Sequence, residues 1–259
     1  MNLTYVTVLL SQVYSNLTIF INLVLLWKVR KIHLHLYSLE RFIDKNKNTL
    51  FAQVEALLGL YHDLKFLKGL PKTRNWAGSP DFLFFIAKVA QSKSPTVIIE
   101  CSSGVSTVVL AQCCKLNGQG HVYSLEHESV FAEQTRVELS RHQLNDWATI
   151  IDAPLREHYI SGQEWLWYSL DNLPDSLSVD MIVIDGPPSC IQRLARYPAG
   201  PMLFEMLKKS GSIILDDTLR EDEQKIVEMW KKEFHQFNRI DVDCEKGCIL
   251  LTYSEDNHV

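Results

Sequence analysis

The feature that most constrains the fold is a set of five short apolar runs, each of which ends on or beside an acidic residue. The runs are TVIIE, HVYSLE, ATIIDA, VDMIVID and SIILDD, and their acids are Glu100, Glu126, Asp152, Asp185 and the pair Asp216 and Asp217. Helical patterns separate most of them, near residues 106–116, 129–143, 199–209 and 220–236. Strands that alternate with helices predict a parallel sheet, and ligands bind such sheets at the carboxyl ends of the strands. The acids are therefore expected to share one edge.

The last two apolar runs predict a different connection. FNRIDVD and GCILLTY are separated only by residues 244–246, which favours an antiparallel hairpin. The fold class that follows is α/β, a doubly wound, Rossmann-like sheet of seven strands that closes on this hairpin.

Charge divides the chain into three parts. Residues 1–27 carry no charged side chain, residues 28–75 carry ten Lys/Arg against four Asp/Glu, and residues 76–259 carry sixteen against 27. An acidic main domain disfavours a nucleic-acid partner, because phosphate binding requires a positive face. The six cysteines show no paired metal spacing, which favours reduced thiols in a cytosolic domain over a disulfide framework.

The uncharged N-terminal segment has the length of a membrane-spanning helix. KVRK follows it directly, whereas a secretory signal peptide carries its positive charge before the apolar run. This order predicts a single-pass anchor with the C-terminal side in the cytoplasm. The alternative is an amphipathic helix that lies on a surface or packs in a core.

A heptad pattern continues from Val29 to Leu67. Ten of its twelve a and d positions are apolar, and the exceptions are Asn46 and Gln53. The same register carried back into residues 4–25 gives mostly small or polar residues, which is how helices pair in lipid. The pattern predicts a coiled coil between copies of the chain, or else amphipathic helices that fold back on the chain's own domain.

Glycine and proline between Gly69 and Pro80 indicate a linker. The predicted organisation is a transmembrane helix over 1–27, a stalk over 28–68, a linker over 69–80 and a globular domain over 81–259.

The first strand and its turn carry a family resemblance. VIIECSSGVST, residues 97–107, resembles the first motif of class I S-adenosylmethionine-dependent methyltransferases, in which an acid precedes G-x-G. The likeness covers about residues 76–253, and Ser102 stands where the family has its first glycine. WAGSPDFL, IVIDGPP, ARYPAGPML and GSIILDDTLREDEQ resemble a bacterial group of methyltransferases. A nicotinamide-binding fold is the competitor, but it requires G-x-G-x-x-G after the first strand, which this chain lacks.

The resemblance implies S-adenosylmethionine as the cofactor and assigns its site. Glu126 matches the acid that binds the ribose hydroxyls, and Asp152 and Ala153 match the position beside the adenine. The remaining candidates lie on the first motif and next to Glu126: Glu100, Cys101, Ser102, Ser103, Gly104, Ser106, Thr107 and His127.

Asp185, Asp216 and Asp217 resemble the magnesium ligands of catechol-type O-methyltransferases, with aspartate in place of the usual asparagine. Three carboxylates suit Mg²⁺ or another divalent cation. Alternatively, Asp217 caps a helix and Asp185 orders the GPP turn. Arg193, Arg196 and Arg220 are expected either to bind an acidic substrate group or to neutralise these aspartates. Asp185, Asp216 and His158 are the candidate catalytic residues, with His158 as a possible base.

These features predict a membrane-anchored methyltransferase that O-methylates a small molecule or a glycan- or lipid-linked acceptor, as a homo-oligomer. The alternative is a non-catalytic membrane scaffold that retains the fold.

Overall fold

The computed structural model describes residues 3–73 and 76–254 and divides into two compact units, Met1–Phe51 and Ala52–Val259. The first unit belongs to helix α1, which runs without interruption over Leu3–Leu64. Within the described residues, α1 is the one helix long and apolar enough to cross a membrane, and its qualifying apolar window is not buried. Length and composition alone support this, and they do so weakly.

The second unit begins earlier than the sequence predicts. Leu60 and Leu64 are fully buried and Gln53 is buried, so these heptad positions pack on the chain's own domain. The Gln112 side chain donates a 2.7 Å hydrogen bond to the Leu64 carbonyl. The predicted coiled coil is therefore wrong over residues 52–64, because the apolar face of the helix completes the globular core there. The seam positions before residue 52 are exposed: Val29, Ile32, Leu36, Leu39, Ile43 and Leu50.

The end of α1 precedes the predicted linker by several residues. Lys65 has a positive φ of 52°, the left-handed conformation that commonly follows the last turn of a helix. The following described segments, residues 65–73 and 76–79, contain no helix or strand. Helix α2 then begins at Pro80, whose fixed φ suits the first helical position.

The globular unit contains the predicted seven-stranded sheet. Its strands are β1 (Val97–Cys101), β2 (His121–Glu126), β3 (Ala148–Asp152), β6 (Val179–Ile184), β7 (Leu207–Asp216), β8 (Phe237–Val242) and β9 (Cys248–Tyr253). Their order is β3-β2-β1-β6-β7-β9-β8; the first five strands are parallel, and β9 is antiparallel to both of its neighbours, β7 and β8. Strand order reverses between β1 and β6, and ligands bind at such a reversal.

Helices cover both faces of the sheet. They are α2 (Pro80–Lys93), α3 (Val105–Asn117), α4 (Ser129–Arg141), α5 (Ala199–Leu203) and α6 (Glu221–Glu233). Side chains alternate along β1, so Ile98 packs with α2 and α3 while Ile99 packs with α5 and α6. The helix predicted over 199–209 is shorter, because β7 already begins at Leu207 and pairs there with Val179.

Strands β4 (Leu155–Ile160) and β5 (Gln163–Tyr168) were not predicted. They form a separate antiparallel hairpin between β3 and β6. Its two turn residues, Ser161 and Gly162, both have positive φ, which is the type I′ geometry that matches strand twist. The missed signal is therefore the Ser-Gly pair between two runs of strand-forming residues.

Candidate active site

The loop after β1 has the strained backbone that its sequence implies. Ser102 has a φ of 87°, a region that glycine enters freely and a side chain rarely adopts. This is the position at which the resembled motif has its first glycine. Gly104, the second motif glycine, has a φ of 157° and precedes α3. The structure thus shows why glycine is usual at residue 102 and where serine adds strain.

Glu100 lies beneath this loop and supports it. Its carboxylate accepts a 2.5 Å hydrogen bond from the Thr107 hydroxyl, which in turn accepts one from the Gly104 amide. Burial raises the pKa of Glu100 to about 7, against the opposing effect of its hydroxyl donors. Cys101, Ser106 and Thr107 are also buried. Their side chains shape the loop from below and do not line its surface.

Glu126 accepts four hydrogen bonds from the protein. Oε2 accepts from the Ser103 amide and hydroxyl, both at 2.9 Å, and Oε1 accepts from the amides of His127 and Glu128. Burial by itself would raise the pKa of Glu126, but these donors and the His127 ring outweigh it and lower the pKa. The carboxylate is therefore ionised at neutral pH and connects the β1 loop to the end of β2.

The two residues at the end of β3 differ in exposure. Asp152 is exposed and forms a 2.7 Å ion pair with Arg136. Ala153 is buried, and its amide donates to the Glu126 carbonyl at 2.7 Å. The structure therefore places both beside the β2 end, as their assignment to the adenine position requires.

At the ends of β6 and β7 the structure brings three carboxylates together. One oxygen each from Asp185, Asp216 and Asp217 lies within 4.8 Å of the others. The buried Arg196 guanidinium inserts among them and donates to Asp217 Oδ2 at 2.7 Å and to Asp185 Oδ1 at 3.2 Å. Its other nitrogen donates to the Asp216 carbonyl oxygen at 2.9 Å. Arg196 thus partly neutralises the cluster, which is one of the two roles predicted for the arginines.

The cluster still carries more acid than base. Glu223 is also buried beside Arg196, and Arg220 is the second guanidinium, 2.9 Å from Asp217. Four carboxyl groups therefore face the guanidinium groups of Arg196 and Arg220, and the charge of Lys246 also acts on Asp185. Both side-chain oxygens of Asp216 and one of Asp217 are buried and find no hydrogen-bond partner among the described residues. Because an unpaired buried charge is costly, this arrangement requires either a bound proton or a further cation.

Two shifted pKa values reflect this imbalance. Burial, opposed by Arg196 and reinforced by Asp217, raises the pKa of Asp185 to about 6. Burial and the charges of Asp185 and Asp217 raise the pKa of Asp216 well above its ordinary value. Asp217 has a positive φ of 61° and its side chain pairs with arginines, so it is not the helix cap considered as an alternative.

Other candidates lie apart from this cluster. Arg193 pairs with Asp222 on the surface. His158 lies on β4 opposite Trp165, and its Nε2 is buried with no hydrogen-bond partner among the described residues. No hydrogen bond or ion pair found in the described part of the chain connects His158 to the carboxylates, so its role as a base stays a prediction.

Sequence reasoning missed Tyr168, the last residue of β5. It is fully buried, and its ring meets that of His127 edge to face at 5.8 Å. A Cβ added at Gly186 would come within 2.5 Å of the Tyr168 hydroxyl and 2.7 Å of Ser102 Cβ. Tyr168 therefore lies against the β1 loop and the β6 end, at the reversal in strand order.

The comparison with protein families gives a methyltransferase match over this region. The family model described as "Methyltransferase domain" matches residues 99–218, which include the β1 loop, Glu126 and the acidic cluster. This match supports a class I S-adenosylmethionine-dependent methyltransferase domain in the globular unit. No curated protein matches the chain by sequence.

Solved structures share the fold of this methyltransferase domain at low sequence identity. The S-adenosylhomocysteine-bound methyltransferase PaMTH1 from Podospora anserina aligns with a TM-score of 0.54 and 11% identity, over 77% of this chain and 88% of that one. The S-adenosylmethionine-bound O-methyltransferase TomG from Streptomyces achromogenes gives 0.51 and 13%, over 79% and 90%. A methyltransferase from Geobacter sulfurreducens gives 0.51 and 13%, over 78% and 90%. Together with the family match, they support S-adenosylmethionine-dependent methylation.

Proposed function

We propose that the chain is a membrane-anchored O-methyltransferase that activates an acceptor hydroxyl at the cluster of Asp185, Asp216 and Asp217. The observation that carries the proposal is the convergence of these carboxylates beside the reversal in strand order, where the side-chain oxygens of Asp216 find no partner among the residues described. The β1 loop flanks the same reversal from the other side. A cofactor on that loop and an acceptor at the cluster would therefore be neighbours.

The cofactor, when bound, supplies an activated methyl group. On this chain Glu126 would hold the ribose hydroxyls, and the backbone at Ser102 and Gly104 would face the methionine end. Ser103 has a second partner available, because its hydroxyl lies 3.1 Å from the Thr135 hydroxyl. Ser103 can thus turn to Thr135 and free one acceptor position on Glu126.

The acceptor proton requires a base at the cluster. Asp185 has a pKa near 6 and is anchored by Arg196, so it can take a proton from a hydroxyl at neutral pH. Asp185, Asp216 and Asp217 would also hold a divalent cation, which would lower the pKa of the acceptor hydroxyl. The unpartnered oxygens of Asp216 and Asp217 fit that ion, since they are the ligand atoms a hard cation prefers.

The first unit is the proposed anchor. Its apolar side chains are exposed along α1, and KVRK follows the uncharged segment. The exposed seam residues from Val29 to Leu50 are proposed to pair two copies of the chain. In a chain whose exposed Cys190 is replaced by serine, Leu36→Cys should crosslink between copies, whereas Lys47→Cys should not. Release of the protein from membranes by a carbonate wash would refute the spanning helix.

Calorimetry of the full chain with S-adenosylhomocysteine tests the catalytic proposal. Binding, followed by loss of methyl transfer on chelation, is the expected result. A fully folded chain that binds neither S-adenosylmethionine nor its product would instead favour the scaffold. The Arg196 guanidinium lies among the carboxylates of the cluster, and this observation favours the scaffold as the second candidate.

A further inference from the structure

The crevice between the β1 loop and the β6 end is occupied by the Tyr168 ring. Ser102 belongs to the first side of this crevice and Gly186 to the second, and a Cβ added at Gly186 would meet both the Tyr168 hydroxyl, at 2.5 Å, and Ser102 Cβ, at 2.7 Å. The ring is fully buried and packs edge-on against His127 and Trp167. In the proposed function, the methionine end of the cofactor requires this same space.

The Tyr168 hydroxyl gains no hydrogen bond in this position. It is buried and has no partner among the described residues, and the same holds for Trp165 Nε1 and Trp167 Nε1 on the same strand. Buried phenol and indole donors normally find a partner. Three unpaired donors on one strand indicate that the docked hairpin has not optimised its polar contacts.

The hairpin is also separate from the main sheet. Strands β4 and β5 pair only with each other. One side chain from beyond the hairpin, Gln192, bridges to both the amide and the carbonyl of Leu166, at 3.1 and 3.2 Å. Because the hairpin forms a sheet of its own, its displacement would break no strand pairing of the seven-stranded sheet described here.

We propose that Tyr168 is a gate, which closes the cofactor crevice in the free chain and must leave it when the cofactor binds. The inference rests on the proposed function, because it takes the β1 loop and Glu126 as the cofactor site. Closure lowers the apparent affinity by the fraction of molecules that are open. Removing the ring should therefore strengthen binding, whereas removal of an ordinary ligand contact would weaken it.

Calorimetric titration of the full-length chain with S-adenosylhomocysteine separates these outcomes. Tyr168→Ala should bind about tenfold more tightly than wild type if about a tenth of the wild-type molecules are open. Tyr168→Phe should bind no more tightly, because its ring still fills the crevice. The control is Tyr159→Ala, on the exposed part of the same hairpin, which should match wild type. Equal or weaker binding by a folded Tyr168→Ala chain overturns the gate.

A second measurement on the wild-type chain does not depend on that variant folding. Amide hydrogen exchange over residues 155–168 should accelerate when S-adenosylhomocysteine saturates the chain, since the hairpin would be displaced. Unchanged or slower exchange there, with binding established, overturns the gate alone. Absence of binding in wild type and all variants overturns the proposed function together with the gate.

Discussion

The two sides of the strand-order reversal use the same chemical group in opposite ways. Glu126, at the end of β2, accepts four hydrogen bonds, three of them from backbone amides, and its pKa is lowered. The carboxyl of Asp216, at the end of β7, has no hydrogen-bond partner in the described part of the chain, and burial together with the charges of Asp185 and Asp217 raises its pKa. Both carboxyls are buried. The difference shows that hydrogen-bond donors and neighbouring charges, and not burial alone, determine whether a buried acid is ionised.

This comparison separates two kinds of site. The Glu126 side is satisfied by the protein itself, so a ligand there must replace existing hydrogen bonds. The side with Asp216 is left with unpaired oxygens and an excess of acid, so it gains by adding a cation or a proton. Arg196 supplies one positive charge and holds the carboxylates in place.

Removal of Arg196 should produce the largest effect. Arg196→Met keeps most of the side-chain volume but removes the guanidinium that pairs with Asp185, Asp217 and Glu223, so we expect a loss of about 3–5 kcal/mol in the free energy of unfolding at pH 7.5. Urea denaturation measures it. Arg193→Met is the control, since its exposed ion pair should contribute at most about 1 kcal/mol. Equal effects of the two variants would contradict the assigned role of Arg196.

Glu126→Gln should have the second-largest effect, which is a weakening of cofactor binding. A charged acceptor contributes about 1.5–3 kcal/mol per hydrogen bond, which corresponds to a 10- to 100-fold rise in the dissociation constant. Calorimetry with S-adenosylhomocysteine measures it. Glu128→Gln removes an exposed neighbouring charge and should leave the affinity unchanged.

Because the folded pKa of Glu126 is lowered, its contribution to stability is present above its unfolded pKa and is lost as pH falls through the folded value.

Asp216→Asn should increase the free energy of unfolding, in contrast to Arg196→Met. With raised folded pKa values at Asp185 and Asp216, the folded chain binds more protons than the unfolded chain between about pH 4 and 6, so stability falls as pH rises there. The variant should be about 1–2 kcal/mol more stable at pH 7.5 without metal, and its pH profile should be flatter.

Mg²⁺ should raise the melting temperature of wild type but not of the variant. Asp241→Asn is the exposed control, and a destabilised Asp216→Asn chain would contradict the charge excess.

Ser102→Gly should have the smallest effect. Relief of the left-handed backbone is worth about 1–3 kcal/mol, and the added freedom of the unfolded chain opposes it by about 0.5–1 kcal/mol. We expect a net gain near 1 kcal/mol, measured by thermal and urea unfolding. Ser92→Gly, within α2, should instead be destabilising. A loss of stability in Ser102→Gly would indicate that the loop gains more from the serine than it loses to strain.

The sequence by itself determined the sheet, the edge that carries the acids and the candidate cofactor loop. These follow from local patterns: apolar runs of strand length, helical periodicity between them, and acids at the ends of the runs. The seven strands and the terminal hairpin formed as expected, and Asp185, Asp216 and Asp217 converged. Strand direction fixes which ends meet, so the convergence requires no knowledge of side-chain contacts.

The tertiary structure alone decided which partner each of these groups has. A heptad pattern predicts that a helix has an apolar face, but it does not predict that Leu60 and Leu64 pack against the chain's own domain. In the same way, the sequence placed Arg193, Arg196 and Arg220 near the acids, but only packing selected Arg196 for the buried position. Tyr168 gave no local signal at all, because the hairpin reaches the crevice from a stretch between β3 and β6. Periodicity reports the environment of a residue along one element, whereas contacts between distant elements depend on shape and on which buried charges find a partner.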